Sequence, residues 1–583
     1  MDLIDKDDFS KATRLEKFKL HALSSPLMKL FKIDEVNKIY AKYKDLSGID
    51  FITKTLEELE ISYEINEKDL KNIPSEGAFI AIANHPYGGI DGLIFLKIMA
   101  EKRPDFKIMA NFLLQKLEPL SDYILPVNPF EDIAKDKNSL AGIKQTLNSL
   151  QNGNPIGIFP AGEVSSFQAN SRLIIDRQWS PMVGKIAKKA QIPVVPIHFS
   201  GNNSYLFNLL GIIHPLFRTA KLPSELFNKK GTTIKVRIGK PIPVKNFNEF
   251  EDMDLLTDYL RARTYAISNP LEFRKIFKAP RLLKKKVEDI IPAIKQDLIA
   301  AEVDSLRDSS NHLFTHENFE VFVAFHNQIP NILKELGRLR EITFRAVGEG
   351  TNKSIDLDKY DIYYHHLFIF DKVEKCIVGA YRIGKGNDIL RKYSKKGFYL
   401  NSLFKMSDDF LPYLNQSLEM GRSFIRVEYQ QRHQPLFLLW KGILSFLKQN
   451  QEYRYLIGPV SISSDFSKNS KILMVEFIKK HYFDYQLAEY IKPAHEFKLK
   501  SKSIDTDLLI KNDKNALKNL DDLVSQIEPF GQRIPVLVKK YLKQDAKIIG
   551  FNVDPDFNNS LDGFIILDAK NIPSDTIEML ERS

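Results

Sequence analysis

Short apolar runs closed by Gly, Pro or Asn recur along this chain in two separate blocks, and that alternation points to layered α/β architecture. The first block holds AFIAIAN (78–84), FKIMAN (106–111), DYILPVN (122–128), PIGIFPA (155–161), PVVPIHFSG (193–201) and TIKVRIGKPI (233–242), mostly separated by helical stretches. Mainly buried strands are expected there. The second block holds YYHHLFIFD (363–371), CIVGAYRIG (376–384), SFIRVEY (423–429), YLIGPVSIS (455–463), AKIIGFNV (546–553) and GFIILDA (563–569). Apolar residues at three-to-four spacing from about 10 to 72 predict helices ahead of the first block. The charged, Pro-punctuated segment after DYLRARTYAIS reads as a connection. The expected organisation is a helical region at 1–72, an α/β domain at 73–275, a helical linker at 276–320 and a second α/β domain at 321–583.

A length of 583 residues exceeds what one hydrophobic core supports, which agrees with two domains. The single cysteine, Cys376, excludes a disulfide framework and a thiol-pair chemistry, and no metal site is expected. The acidic, polar start lacks the basic-then-apolar order of an export signal. No uncharged apolar run reaches the 18 or so residues of a spanning helix. The nearest, YLFNLLGIIHPLF (205–217), reads as a buried loop or an interfacial foot. The formal charge of +10 favours anionic partners, whether lipid headgroups, an acidic carrier protein or nucleic acid. Nucleic acid is disfavoured because neither zinc-finger spacing nor an aromatic-basic strand signature is present.

The string NHPYGGIDG (84–92) follows directly on an apolar run. His85 with Asp91 supplies a base and a carboxylate to orient it, and Gly88 and Gly89 let the chain turn between them. Taken alone, the same residues serve equally as loop and helix caps. Three further strand-end loops favour chemistry: ILPVNPF (124–130), VVPIHFSGNNS (194–204) and FPAGEVS (159–165), the last with Gly162, Glu163 and Ser165 placed to receive an oxyanion or headgroup.

Over roughly 75–245 this set of loops resembles the glycerolipid acyltransferase superfamily, which carries Asn-His-x4-Asp, then Phe-Pro-Glu-Gly-Thr-Arg-Ser, then an apolar Pro-containing strand. The resemblance implies that His85 and Asp91 are catalytic and that Asn84, Gly88, Gly89, Gly162, Glu163 and Ser165 bind substrate. Two departures stand out: one extra residue separates His85 from Asp91, and Ala161 and Val164 replace the usual Glu and Arg. In the family those two serve a glycerol-phosphate acceptor, so a different acceptor is expected. HPYGGIDG and FPAGEVS look like the branch that acylates the hydroxyl of an N-acylated amino acid. Arg172, Arg177 and Lys185 are candidates to neutralise an acceptor carboxylate, or are ordinary solvated charges.

The second block opens with ELGRLREITFRAVGEG, which carries Arg338, Arg340 and Arg345, followed by Asp356, Asp358 and Asp361, then Arg382 inside an apolar strand and Glu419 with Arg422 at the head of another. The first six serve equally as a structural ion-pair set or as a binding site; charges within strands are costly unless paired or working. From about 335 to 485 the pattern resembles the N-acyltransferase (GNAT) fold of acyl-homoserine-lactone synthases and of ornithine- or glycine-lipid N-acyltransferases. By that resemblance Glu419 assists amine deprotonation, Arg340, Arg345, Arg382 and Arg422 position the acyl donor or an amino-acid carboxylate, and Asp361 contacts the acceptor amine. The family's pyrophosphate loop is not recognisable, which favours an acyl carrier protein over coenzyme A as thioester donor. The helix expected in YQQRHQPLFLLWKGILSFL (429–447) has an apolar face for either core or membrane.

Together the two resemblances imply a bacterial bifunctional aminolipid synthase without a permanently bound cofactor. One half N-acylates a small amino acid of ornithine or glycine type with a 3-hydroxyacyl chain, and the other O-acylates that hydroxyl. Its expected partners are acyl carrier protein, an anionic membrane surface and the amino-acid or N-acyl-amino-acid acceptor, at the cytoplasmic face of the inner membrane as a peripheral protein. The alternatives are a lysophosphatidate-type acyltransferase and a non-catalytic membrane- or carrier-binding module.

Overall fold

The computed structural model describes residues 3–6, 10, 24–111, 114, 116–127, 137–168, 173–213, 215–268, 287–347, 349–432, 434–498, 505–510, 515–555, 557–574 and 577–578. Arg172, residues 128–130 of ILPVNPF and most of the charged connection (269–286) lie outside them. The chain divides into two compact units, Met1–Arg274 with Ser501–Gln532, and Lys275–Lys500 with Arg533–Ser583. Residues 501–532, which the sequence grouped with the second domain, thus belong to the first unit. The attachment is specific: the buried Arg237 guanidinium donates to the Ile527 carbonyl at 3.3 Å, and Arg263 donates to Gln526.

The first unit is built on a seven-stranded sheet. Its strands are β1 (Ser62–Ile65), β2 (Ile80–Ala83), β3 (Lys107–Asn111), β4 (Ile124–Val127), β5 (Ile156–Ile158), β8 (Val194–Phe199) and β9 (Thr233–Ile238), and β6 (Ser166–Gln168) with β7 (Leu173–Ile175) forms a separate hairpin. The spatial order is β1-β9-β8-β2-β5-β3-β4, with parallel pairing except between β8 and β9. All four residues of β2 are fully buried, as a central parallel strand covered on both faces requires. The helices Ile33–Tyr43, Gly48–Glu58 and Gly89–Lys102 contribute to the same core. All six expected strands form; β1, alternating polar and apolar at the sheet edge, was read as part of the helical region. The run 205–217 is not a loop. It forms the helix Tyr205–Ile213 and enters a second helix, Pro215–Asn228.

The second unit carries an eight-stranded sheet in the order β10-β11-β12-β13-β15-β16-β19-β18. Here β10 is His312–His316, β11 Phe319–Phe325, β12 His365–Asp371, β13 Cys376–Lys385, β15 Ser417–Ile425, β16 Tyr455–Ile462, β18 Lys547–Asp554 and β19 Ser560–Asp568, while β14 (Phe404–Met406) pairs with β17 (Ile491–Pro493) apart from it. The expected helical linker 276–320 contains the helix Gln296–Arg307 but ends in β10 and the start of β11, because FEVFVAF is a buried strand of this sheet. The helix Gln434–Gln449 packs on β11, β12 and β13, burying Leu438, Leu439, Trp440 and Ile443, so its apolar face is core.

The parallel neighbours β15 and β16 are in register only over Ser417–Glu419. One strand further, Ala380 opposes Phe424 but Arg382 opposes Gly421, so β15 has one extra residue and Arg422 takes φ +48°. Such a bulge re-aims a side chain out of the ladder.

Candidate active sites

In the first unit, β2 delivers Asn84 and His85 to the end of the sheet. Asn84 locks the strand end by donating to the Phe199 carbonyl at 2.9 Å and accepting from the Phe199 N–H at 2.7 Å. Gly88 adopts φ +91°, where a Cβ would come within 2.9 Å of Leu222 and 3.2 Å of Val164. That turn starts the helix at Gly89 and puts Asp91 in its first turn, where the helix dipole favours a carboxylate. Fully buried Asp91 accepts from the Tyr87 N–H at 2.8 Å, and its Oδ1 stands 3.0 Å from His85 Nδ1. At that separation the carboxylate faces Nδ1 and leaves Nε2 as the second ring nitrogen. Burial disfavours the imidazolium, but the Asp91 and Asp176 carboxylates outweigh it and raise the His85 pKa above its ordinary 6.5.

The other face of the imidazole stacks on Phe159 at 4.0 Å between centroids. The side chain stays 18% exposed, and it opens onto a cavity of about 620 Å³. The lining is overwhelmingly apolar: Leu93, Leu96, Leu222, Leu226 and Phe227 near the turn, with Tyr40 and Phe51 from the preceding helices. Ala161 and Gly162 also face this space. The volume falls in the range of small-molecule pockets, and its lining suits an alkyl chain.

Ser165 and Asp176 hold the His85 backbone, while Glu163 sits next to cavity-lining Gly162. Ser165, expected to bind substrate, is buried; its N–H donates to the His85 carbonyl at 2.8 Å and its hydroxyl donates to Asp176. Asp176, which sequence reasoning missed, also accepts from the His85 N–H at 3.2 Å and from the Trp179 indole at 2.9 Å. Burial pushes its pKa up. Its only sequence signal was a carboxylate directly after the apolar LII of β7. Glu163 is held between two arginines, Arg177 at 3.2 Å and Arg218 in closer contact. Arg218, also missed, lies 55 positions away within an apolar stretch. Lys185 is exposed on the helix Met182–Ala190.

The second unit draws its expected charges into one ion-pair array. Arg340 donates to Asp361 at 2.8 Å, and Arg382 meets Asp358 at 2.6 Å and Asp361 at 3.3 Å. Arg340, Asp361 and Arg382 are buried. Although burial alone raises a carboxyl pKa, Arg340 and Arg382 reverse that and hold Asp361 well below the usual range. Arg422, placed by the bulge, reaches Asp356 at 3.0 Å and Asp358 at 3.3 Å and packs on the Tyr399 ring at 5.1 Å. Arg345 is tied back to Glu341 at 2.6 Å and to the Lys353 carbonyl.

Glu419 is 1% exposed and accepts from the Tyr364 hydroxyl, the Tyr399 N–H at 3.0 Å and the Leu400 N–H at 2.7 Å. Burial raises its pKa despite these donors. Two carboxyls that the sequence did not single out titrate nearer neutrality. Asp562, on β19 opposite Ser461, is pushed up to about 7 by burial and then by Asp554. Glu349 is likewise raised to about 7 by burial and the nearby Asp562 and Asp465. Among the described residues no cluster of His, Cys, Asp and Glu is arranged to hold a metal ion.

The first unit thus brings a histidine–carboxylate pair to the wall of an apolar cavity. Residues 4–273 match the family described as Acyltransferase, and residues 339–441 match the Acetyltransferase (GNAT) domain. The lyso-glycine lipid O-acyltransferase of Bacteroides thetaiotaomicron is 30% identical over 275 residues, covering 46% of this chain and 97% of the relative. The glycine N(alpha)-acyltransferase of the same organism is 28% identical over 306 residues, covering 50% of this chain and 88% of that protein. A solved structure, the 1-acyl-sn-glycerophosphate acyltransferase PlsC from Thermotoga maritima, aligns at 18% identity and a TM-score of 0.23 over 36% of this chain and 77% of its own. The chain belongs to the acyltransferase family, with a GNAT N-acyltransferase domain behind the first catalytic domain. Both families draw on acyl thioester donors and need no permanently bound cofactor.

Proposed function

We propose that this protein makes a glycine lipid in two steps, N-acylating glycine with a 3-hydroxyacyl chain in the second unit and O-acylating the hydroxyl of the product in the first. The observation that carries the second step is His85, paired with Asp91, in the wall of the 620 Å³ apolar cavity. With Nδ1 facing Asp91, Nε2 takes the proton of the acceptor hydroxyl as its oxygen attacks the thioester carbonyl. The C–S bond then breaks, and the departing thiolate takes the proton back from the imidazolium. Asp91 steadies that transient charge. Support for glycine comes from the names of the two relatives, which act as separate proteins on the two halves of such a route. Joining them keeps the lyso intermediate at high local concentration.

In the second unit Glu419 orders the turn at Tyr399 and Leu400 beside the ion-pair array, and Arg422 positions the carboxylate or donor. An acyl carrier protein as donor is supported by the net charge of +10, which suits an acidic partner. Peripheral attachment at the cytoplasmic membrane face is supported by the helix Tyr205–Ile213, where Tyr205 is 91%, Leu206 54% and Leu209 55% exposed. No helix among the described residues is long and apolar enough to cross a membrane.

The test is expression of the chain in a bacterial host that lacks aminolipids, followed by mass spectrometry of the lipid extract. A diacylated glycine is the expected product. Consumption of lysophosphatidate with no new aminolipid would replace this assignment by the glycerol-phosphate one.

A further inference from the structure

We infer that Arg218, held with Arg177 on Glu163, is the seat for the carboxylate of the O-acyl acceptor; this rests on the proposed acylation of an N-acyl amino acid. Arg218 lies one turn before Leu222 on the helix Pro215–Asn228, and Leu222 lines the cavity and crowds Gly88 beside the catalytic turn. Glu163 follows cavity-lining Gly162 and precedes Val164, which with Leu222 closes over Gly88. The charged trio therefore stands next to the cavity wall, one residue from Gly162 in the loop and one turn from Leu222 in the helix.

Two guanidiniums share one carboxylate, so the trio carries a surplus positive charge, with the Arg218 side chain 7%, Glu163 29% and Arg177 53% exposed. The Arg218 contact uses one terminal nitrogen, and a guanidinium carries five N–H donors in a fork that fits a carboxylate edge. The array also explains how a chain with Val164 in place of the usual arginine still handles a charged acceptor: the cation enters from a helix rather than from the loop.

The experiment uses the full chain, an acyl thioester, and two acceptors that differ only in charge, N-(3-hydroxyacyl)glycine and its methyl ester. Wild-type protein should prefer the free acid. Arg218→Ala should cut kcat/KM for the acid by roughly 30-fold or more, the size expected for truncating one partner of a buried charge pair, and so erase the preference over the ester. Arg218→Lys, which keeps the charge but not the fork, should reduce the preference less and serves if the alanine variant does not fold. Equal losses on both acceptors in the lysine variant would overturn the inference while leaving the proposed function intact. A wild-type protein that acylates neither glycine derivative, or prefers lysophosphatidate, would overturn both.

Discussion

The Nδ1 atom of His85 lies 3.0 Å from Oδ1 of Asp91 across five intervening residues, one more than the related motif carries. The left-handed turn at Gly88 absorbs the extra residue, so the helix still begins in time to present Asp91 to the imidazole. An alternating charge environment follows: burial opposes protonation of His85, and two carboxylates restore it.

That balance has a direct consequence for the pH dependence of O-acylation. The base must be neutral, and its pKa is raised, so kcat/KM should climb with pH through an inflection above 6.5. Asp91→Asn removes the strongest raising influence and leaves burial, so the inflection should move to lower pH while the rate falls. A pH–rate profile of the variant with an unmoved inflection would separate Asp91 from His85.

Gly92 faces the apolar cavity with open space where a Cβ would stand. Gly92→Leu should fold as well as the wild type, since glycine in a helix is intrinsically unfavourable. Its side chain would occupy space meant for the acyl tail. Each methylene excluded costs about 0.8 kcal/mol, or about fourfold in kcat/KM, so the donor preference should shift to shorter chains. Competition between thioesters of different length measures this.

Arg382 is 1% exposed between Asp358 and Asp361. Arg382→Met leaves the buried Asp361 and the quarter-exposed Asp358 without that partner, a loss of about 3–5 kcal/mol by analogy with broken buried pairs. A marked drop in the melting temperature of the second unit is expected, and an unchanged melt would mean that the array is not structural.

The Asp562 carboxyl, raised to about 7, makes the stability of the second unit depend on pH below neutrality. Because its folded pKa lies above the unfolded one, its contribution to stability is present at low pH and is lost as pH rises through about 7. Asp562→Asn should therefore flatten the loss of thermal stability between the ordinary carboxyl value of 3.8 and about 7, which melts taken across that range would detect.

Much of this architecture was legible in the residues. Uniform apolar runs such as IAIA and VVPIHF identified the central strands because both faces of a parallel strand are buried. His85 and Asp91 were legible because motif and spacing are local. What stayed hidden depends on contacts remote in sequence. Arg218 meets Glu163 across 55 positions, and Asp176 reaches the His85 backbone across 91. The half-exposed strands β1 and β10 lack the uniform apolar signal, so they merged with neighbouring helices. Residues 501–532 carry no sign in their own pattern that they pack with the first unit.

The most direct measurement is the O-acylation rate of purified His85→Ala on N-(3-hydroxyacyl)glycine, with glycine N-acylation by the same preparation as internal control. A loss of about 10²–10⁴-fold in O-acylation with N-acylation preserved is the expected outcome, the range for removing a general base. O-acylation at the wild-type rate would contradict the central role given to His85.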